Sequence, residues 1–298
     1  MNDFLREKFG QKVFKVPLNG NFTCPNKDGT KGRGGCIFCS PSGSGDFAGD
    51  RAESIKEQFA AIRDTLHEKW PEASYIAYFQ ANTNTYGPVP VLKRMYDEAL
   101  RADNKVVGLS IATRPDALDD SILELLETYH EKTYLQVELG LQSIHEETAA
   151  KINRGYPLET FNAAVMALRE RGINVVVHII NGFPWETEQQ MMATVDHLNT
   201  LDIQGIKIHM LHIVRNTALA RMHEKTPYEL LAIDDYVRIT TNQIERLDPK
   251  IVVQRVTGDA SKADLIAPLW TLKKFVVMNE IDKLMRKRDT HQGVSFNR

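Results

Sequence analysis

Short apolar runs and longer amphipathic stretches follow one another along this chain in a regular order. Residues 75–79 (YIAYF), 106–111, 134–139, 174–180 and 205–211 are apolar runs of strand length. Residues 14–18 add a sixth near the N-terminus. Between them, apolar residues recur at three- and four-residue steps. In residues 51–68, Ile55, Phe59, Ile62 and Leu66 make one apolar helix face. Pro90 opens the next helix, with Leu92, Met95 and Leu100 on its face. Helices are predicted at residues 118–129 behind an Asp119-Asp120-Ser121 cap, at 145–153, at 158–171 with Gly172 as its stop, and at 187–201. NVVVHII, residues 174–180, is nearly continuous in apolar character, as in a strand buried on both faces.

Strands joined by crossover helices predict a parallel sheet with few allowed windings. The fold class is therefore α/β. The six units end near residue 213, short of the ~250 residues of an eight-unit barrel. They predict a partial (β/α)6 barrel of TIM type over residues 1–213. Residues 214–298 are read as a C-terminal extension packed on the barrel, with helices at 234–247 and 272–288 and a candidate strand at 251–256.

Composition changes little in this picture. The chain is 42% hydrophobic and 26% charged, with a net charge of −2. That excludes coating of long nucleic acid by charge alone. It leaves room for a local basic face at Lys273, Lys274, Lys283, Arg286, Lys287, Arg288 and Arg298, or for a solvated helix side built from the same residues. No apolar run reaches the ~18 residues of a membrane span. The N-terminal MNDFLREKFGQK lacks a signal-peptide core. Clustered cysteines without a paired framework point to a reducing cytoplasm.

All three cysteines lie in residues 24–39, CPNKDGTKGRGGCIFC. Eleven residues separate Cys24 from Cys36, and two separate Cys36 from Cys39. Gly29, Gly32, Gly34 and Gly35 let this loop bend around a bulky group. Thiolates gathered this way bind metal more often than they serve packing. A structural zinc site closes with a fourth ligand, which one of the nine histidines would supply. An iron–sulfur cubane held by three thiolates leaves one iron open. A disulfide with one spare thiol is the third reading.

The loop resembles the radical SAM superfamily, whose usual first gap is shorter. A long first gap before CxxC is similar to the radical domain of the Elongator catalytic subunit, and TCPNKDGTKGRGGCIFCS is similar nearly throughout to the bacterial YhcC/YtqA-type family. The resemblance covers roughly residues 10–290 by motif order. It implies that Cys24, Cys36 and Cys39 ligate a [4Fe-4S] cluster whose open iron takes S-adenosylmethionine (SAM). An electron from a donor such as flavodoxin or ferredoxin then yields a 5′-deoxyadenosyl radical. Excluding water and oxygen would protect that intermediate.

The remaining candidates fall where the predicted strands end, as ligand sites do in parallel barrels. Gln80-Ala81-Asn82-Thr83 replaces the superfamily's glycine pair, and Asn82 and Thr83 are taken as SAM contacts or as an ordinary polar loop. Ser110 and Thr113, in SIATRPD, would meet the ribose hydroxyls. Arg114 would brace Asp116 or meet an anionic substrate. Glu138, Gly140 and Gln142 share one strand face. A glutamate there is costly unless it meets a polar partner. The family pattern puts Gln142 near the ribose or sulfonium, and Arg154 on the SAM carboxylate through its two-pronged donors. His178 would stand near the nucleoside or be a satisfied core histidine. Residues 182–187, GFPWET, resemble the family's adenine-gripping turn. Lys207 and His209 would face the cavity floor or the substrate, with His212 a further candidate, and Arg255 would close the cavity against substrate or belong to a plain turn.

The function implied is a radical SAM enzyme. No cysteine is left for a second cluster, which counts against sulfur insertion. The Elongator resemblance points to tRNA, and the YhcC/YtqA type to a wobble uridine: removal of a carboxymethyl group from carboxymethylaminomethyl uridine to leave aminomethyl uridine. Trp185 or Trp270 would then stack on a base, with the core as the first expectation for Trp270. The alternatives are a radical SAM enzyme acting on a small metabolite, and a zinc-stabilised nucleic-acid-binding protein without catalysis.

Overall fold

The computed structural model describes residues 1–43, 45 and 47–296. Ser44 and Asp46 of the Ser/Gly-rich segment, and Arg298 of the basic stretch, lie outside the described residues. The six expected strands are β1 (Val13–Leu18), β2 (Ser74–Phe79), β3 (Val106–Thr113), β4 (Tyr134–Gln142), β5 (Asn174–Asn181) and β6 (Gly205–Met210). Three more follow: β7 (Ile213–Val214), β8 (Val252–Arg255) and β9 (Leu265–Ala267). The main sheet runs β1-β2-β3-β4-β5-β6-β8, and β7 pairs antiparallel with β9. This is the partial α/β barrel the alternation predicts. It has seven strands rather than six, because the candidate strand at 251–256 joins the sheet beside β6. β8 is only four half-buried residues, too short to show a period.

The chain divides into two compact units. One comprises Met1–Arg33, Ser42–Gly140 and Ala163–Val175; the other comprises Gly34–Pro41, Leu141–Asn162 and Val176–Arg298.

In the first unit β1 to β4 pair in parallel. Every residue of β2 is buried, as expected of a central parallel strand. The helix Ile55–His67 starts later than the periodicity alone indicates. Ser54 and Glu57 form a capping box there, each side chain meeting the other's backbone N–H, which fixes the start. Its Phe59 is fully buried, edge-on to Tyr75 at 5.7 Å. Phe79, Tyr96 and Tyr129 continue as edge-to-face contacts of 5.2 and 5.5 Å. Asp119 caps the helix Asp120–His130, as its sequence indicates. The helix Asn2–Phe9 has no forecast in the apolar pattern, because only Leu5 is buried along it.

In the second unit β5, β6 and β8 pair in parallel. Helices Glu188–Leu198 and Ile233–Arg246 pack there, the first opened by a Thr187/Gln190 capping box. A buried hydrogen-bond cluster ties the second helix in. Asn181 and Gln243 exchange two bonds of 2.7 and 3.0 Å, and the Gln243 amide also reaches the Met191 carbonyl at 3.0 Å. Trp270 packs on Tyr236 and donates to the Leu231 carbonyl, so it belongs to the core and not to a base-stacking surface. Among the described residues no helix is long and apolar enough to cross a membrane.

Candidate active site

Two turns fold the N-terminal half of the cysteine loop within the first unit. The N–H groups of Lys27 and Asp28 donate to the Cys24 carbonyl, and those of Lys31 and Gly32 to the Pro25 carbonyl. The loop is then fixed to the carboxyl ends of β2 and β3. The Thr83 N–H donates to the Thr23 carbonyl at 3.3 Å, Lys27 Nζ reaches Asn82 Oδ1 at 3.3 Å, and Lys31 meets Asp116. Cys24 is half-buried and carries a free thiol.

Asn82 has φ 59°, a left-handed conformation that asparagine tolerates better than most residues. Its N–H donates to the Gly43 carbonyl. A Cβ on Gly43 would collide with the Asn82 side chain, so glycine is required for the Ser/Gly-rich segment to lie against this strand end. Thr83 is buried, and its hydroxyl has no hydrogen-bond partner among the described residues; neither has Asn84 Oδ1. Thr113 is engaged with the Thr85 hydroxyl at 2.6 Å. Arg114 grips Asp116 through Nε and Nη2, both at 2.9 Å, which is the brace alternative read from TRPD.

Glu138 is the polar centre of the first unit. Its Oε1 accepts from Lys15 Nζ at 2.7 Å, Ser110 Oγ at 2.6 Å and Gln136 Nε2 at 2.8 Å. Its Oε2 accepts from the Tyr78 hydroxyl at 3.0 Å. Register explains the meeting: Tyr78 pairs with Ser110, and Ser110 with Gln136, so the three share one face of the sheet. The sequence flagged Glu138 and Ser110 but missed Lys15, Tyr78 and Gln136. Their signal was present as polar atoms at alternate positions of apolar strands. Burial, and next the Glu138 charge, push the nearby Tyr134 hydroxyl up to about 12.

In the second unit the CIFC turn closes with the Cys39 N–H donating to the Cys36 carbonyl at 3.0 Å. Ile37 between them is buried beside Phe183 and Leu219. Its N–H donates to the Ile152 carbonyl, and its carbonyl accepts from Leu219. Asn153 Nδ2 holds the Gly35 carbonyl at 2.8 Å. Cys36 and Cys39 are half-buried and are in no disulfide. Phe38 lies against Phe183 of the GFPWET turn, where Gly182 has φ 100°. Trp185 stacks on Phe183 at 5.7 Å with Lys151 near its ring, so its faces are already engaged within the unit.

Gln142 ends β4 with φ 68°, an uncommon strain for a side chain with a Cβ, and one typical of ligand clamps. No sequence signal announces it. Arg154 is fully buried. Its Nε donates to the Tyr156 carbonyl at 3.0 Å, and Nη1 to the carbonyls of Leu141 and Ser143 at 3.0 and 2.6 Å. Nη2 stands 3.6 Å from Glu146. These bonds clamp the end of β4 to the turn after the helix Glu146–Lys151. Lysine cannot reproduce the fork. Arg154→Lys is expected to destabilise the protein by about 2–3 kcal/mol, the scale of a charged hydrogen bond. A lowered denaturation midpoint at unchanged m would show it.

His178, Lys207 and Arg255 are in register on β5, β6 and β8, and His178 lies 5.1 Å from His209, ring to ring. Arg255 and Lys274 both pair with Asp259.

The sequence profile of the Radical SAM superfamily matches residues 28–198, and that of the Radical_SAM C-terminal domain matches residues 203–287. YtqA of Bacillus subtilis, an uncharacterized protein, is 48% identical over 298 residues, covering 100% of this chain and 92% of its own. A protein of Clostridium botulinum named tRNA-2-methylthio-N(6)-dimethylallyladenosine synthase is 25% identical over 268 residues, 88% of this chain and 56% of its own. Among solved structures, Elp3 of Methanocaldococcus infernus superposes with a TM-score of 0.73 at 16% identity, over 94% of this chain and 64% of that one, a likeness of fold.

Proposed function

The chain belongs to the radical SAM superfamily, and on that premise we propose that it is a tRNA-modifying enzyme acting on a uridine that carries a carboxymethylaminomethyl side chain. The superfamily's cofactors are a [4Fe-4S] cluster and S-adenosylmethionine. Among the described residues no three His, Cys, Asp or Glu side chains are gathered as a ready metal site, so the fit rests on the chemistry of the donors. Three half-buried cysteines, none in a disulfide, are the whole cysteine content of the chain, and thiolates are the ligands of such clusters. Cys24, Cys36 and Cys39 would hold it, leaving one iron for SAM. Orphaned buried atoms at the end of β2, Thr83 Oγ1 and Asn84 Oδ1, are what a polar ligand there would satisfy.

Bound and reduced by one electron, the cluster supplies reductive cleavage of a carbon–sulfur bond of SAM. The chain supplies position. Asn82 and Thr83 would orient the amino-acid end of SAM. Ser110 and Thr113 would stand at the ribose, with Glu138 holding Ser110 in place. Gln142 and His178 would border the nucleoside. Arg154 would meet the SAM carboxylate, its bonds to the Leu141 and Ser143 carbonyls fixing the guanidinium in place. A small one-electron protein such as flavodoxin or ferredoxin would deliver the electron, in a reducing cytoplasm that keeps the thiols from forming disulfides.

The tRNA reading draws on the resemblance of the cysteine loop to the Elongator radical domain and on the name of the Clostridium relative. With three cysteines in the sequence, none is left for a second cluster, which disfavours sulfur-inserting chemistry. A small acidic metabolite is the second reading. It is favoured by the C-terminal helix, where Lys283, Arg286 and Arg288 are paired with Glu280, Asp282 and Glu245 and so offer less charge to phosphates.

Anaerobic reconstitution with iron and sulfide decides the reaction class. Cluster-dependent 5′-deoxyadenosine is expected. Mass analysis of treated tRNA should then show carboxymethylaminomethyl uridine falling as aminomethyl uridine rises. Stoichiometric zinc without SAM cleavage would overturn the radical reading in favour of a binding protein. Cleavage with unchanged tRNA nucleosides would favour the metabolite.

A further inference from the structure

Two imidazoles of the second unit have buried nitrogens with nothing to bond. His209 Nε2 and His212 Nε2 have no hydrogen-bond partner among the described residues. Each such atom costs about 1–3 kcal/mol. The chain carries two of them three positions apart, at the carboxyl end of β6. Such a cost persists where a ligand relieves it.

The surroundings say what kind of ligand. Lys207 is buried on the same strand, two residues from His209, so their side chains share a face. Arg255 is in register with Lys207 on β8. The acid in this cluster, Asp259, is shared between Arg255 and Lys274. Burial works to raise the Asp259 carboxyl, but Arg255 and Lys274 hold it below the ordinary range, so it remains an anion committed to them. Gly258 lets the loop after β8 close on His212, since a Cβ there would strike the imidazole ring. The His212 ring is thereby fixed in orientation.

Both histidines stay neutral at physiological pH. Burial pushes His209 well down, helped by His178, Arg255, Lys207 and His212. Burial pushes His212 down to about 4, against the opposing pull of Asp259. A neutral imidazole donates one N–H, with the tautomer set by its partner. Two N–H donors beside a buried ammonium and a guanidinium match a small, flat group rich in acceptor lone pairs. A carboxylate is that group, and a low-dielectric site strengthens each bond to it.

We propose that Lys207, His209, His212 and Arg255 form a subsite for a carboxylate of the substrate. It deepens the proposed function and rests on that reading only for which carboxylate is held: the carboxymethyl end of the uridine side chain. Held there, the acidic end would fix the neighbouring methylene carbons for hydrogen abstraction.

Equilibrium binding tests this with the reconstituted, SAM-loaded protein. The probes are tRNA bearing carboxymethylaminomethyl uridine and the same tRNA bearing aminomethyl uridine, which lacks the carboxylate. Wild type should bind the first about 10-fold or more tighter, the scale of a charged hydrogen bond. In Lys207→Met, and independently in His212→Phe should the lysine variant fail to fold, that preference should collapse to within about 2-fold, the residue of a fraction of one bond. Equal binding by wild type, or a preference that survives in both folded variants, would overturn the subsite. If neither tRNA binds, the tRNA reading fails by itself. Equilibrium dialysis with N-methylglycine against N-methylethanolamine then decides the subsite alone. Retention of the acid by wild type and its loss in the variants upholds it; no retention by wild type overturns it.

Discussion

Cys36→Ala is expected to abolish SAM cleavage. Loss of 5′-deoxyadenosine should exceed the ~10–100-fold that a metal site loses when a group hydrogen-bonded to one of its ligands is removed, because on the proposed reading a ligand itself goes. The fold gives the experiment its control. Ile37, between the two cysteines of the turn, is anchored by its own N–H to Ile152 and through its carbonyl to Leu219, and neither bond uses a thiol. The metal-free variant should therefore unfold with the metal-free wild type. Iron and sulfide content should fall with activity. A variant that assembles a full cluster and cleaves SAM would remove Cys36 from the ligand set and reopen the zinc reading.

The largest loss of stability is expected at Glu138. Glu138→Leu leaves the Lys15 ammonium without its buried counter-ion, and Tyr78, Ser110 and Gln136 without their shared acceptor. Removing one partner of a buried pair costs about 3–5 kcal/mol. Chemical denaturation of the anaerobic protein would read the cost. Adding Lys15→Met to Glu138→Leu should restore part of it, since the lone charge is then gone. A single variant as stable as wild type would mean that water already serves these groups. SAM binding separates two roles for Glu138. A carboxylate that accepts from four protein donors would, on the proposed reading, act on SAM through Ser110 rather than by direct contact. Glu138→Gln should then weaken SAM binding less than Ser110→Ala does.

The periodicities carried the main architecture well. Strand-length apolar runs located β1 to β6 to within three residues at either end, and Asp119 and Gly172 marked helix ends that the backbone confirms. These are local signals, written in the residues that form the element. What escaped was set by partners distant in sequence. Lys15 meets Glu138 across 123 residues, and nothing near Lys15 announces it. The strain at Gln142 is a backbone property that a glutamine does not advertise, whereas the turn at Gly182 was legible because glycine is. Arg154 was noticed for its guanidinium, but its attachment to the carbonyls of Leu141, Ser143 and Tyr156 depends on how the chain returns beside β4.

One pairing bears on how this protein could be trimmed or inherited in pieces. β8 lies beside β6 in the sheet, and Gln243, from the helix ahead of it, satisfies the buried Asn181 amide of β5. A chain stopped at residue 213 would expose the rim of β6 as an unpaired row of amides and carbonyls, an invitation to stick to its own kind. Sequences of this type should therefore gain and lose length beyond the helix Lys274–Arg288 far more readily than between β6 and β8, and shortened forms should accumulate as insoluble protein.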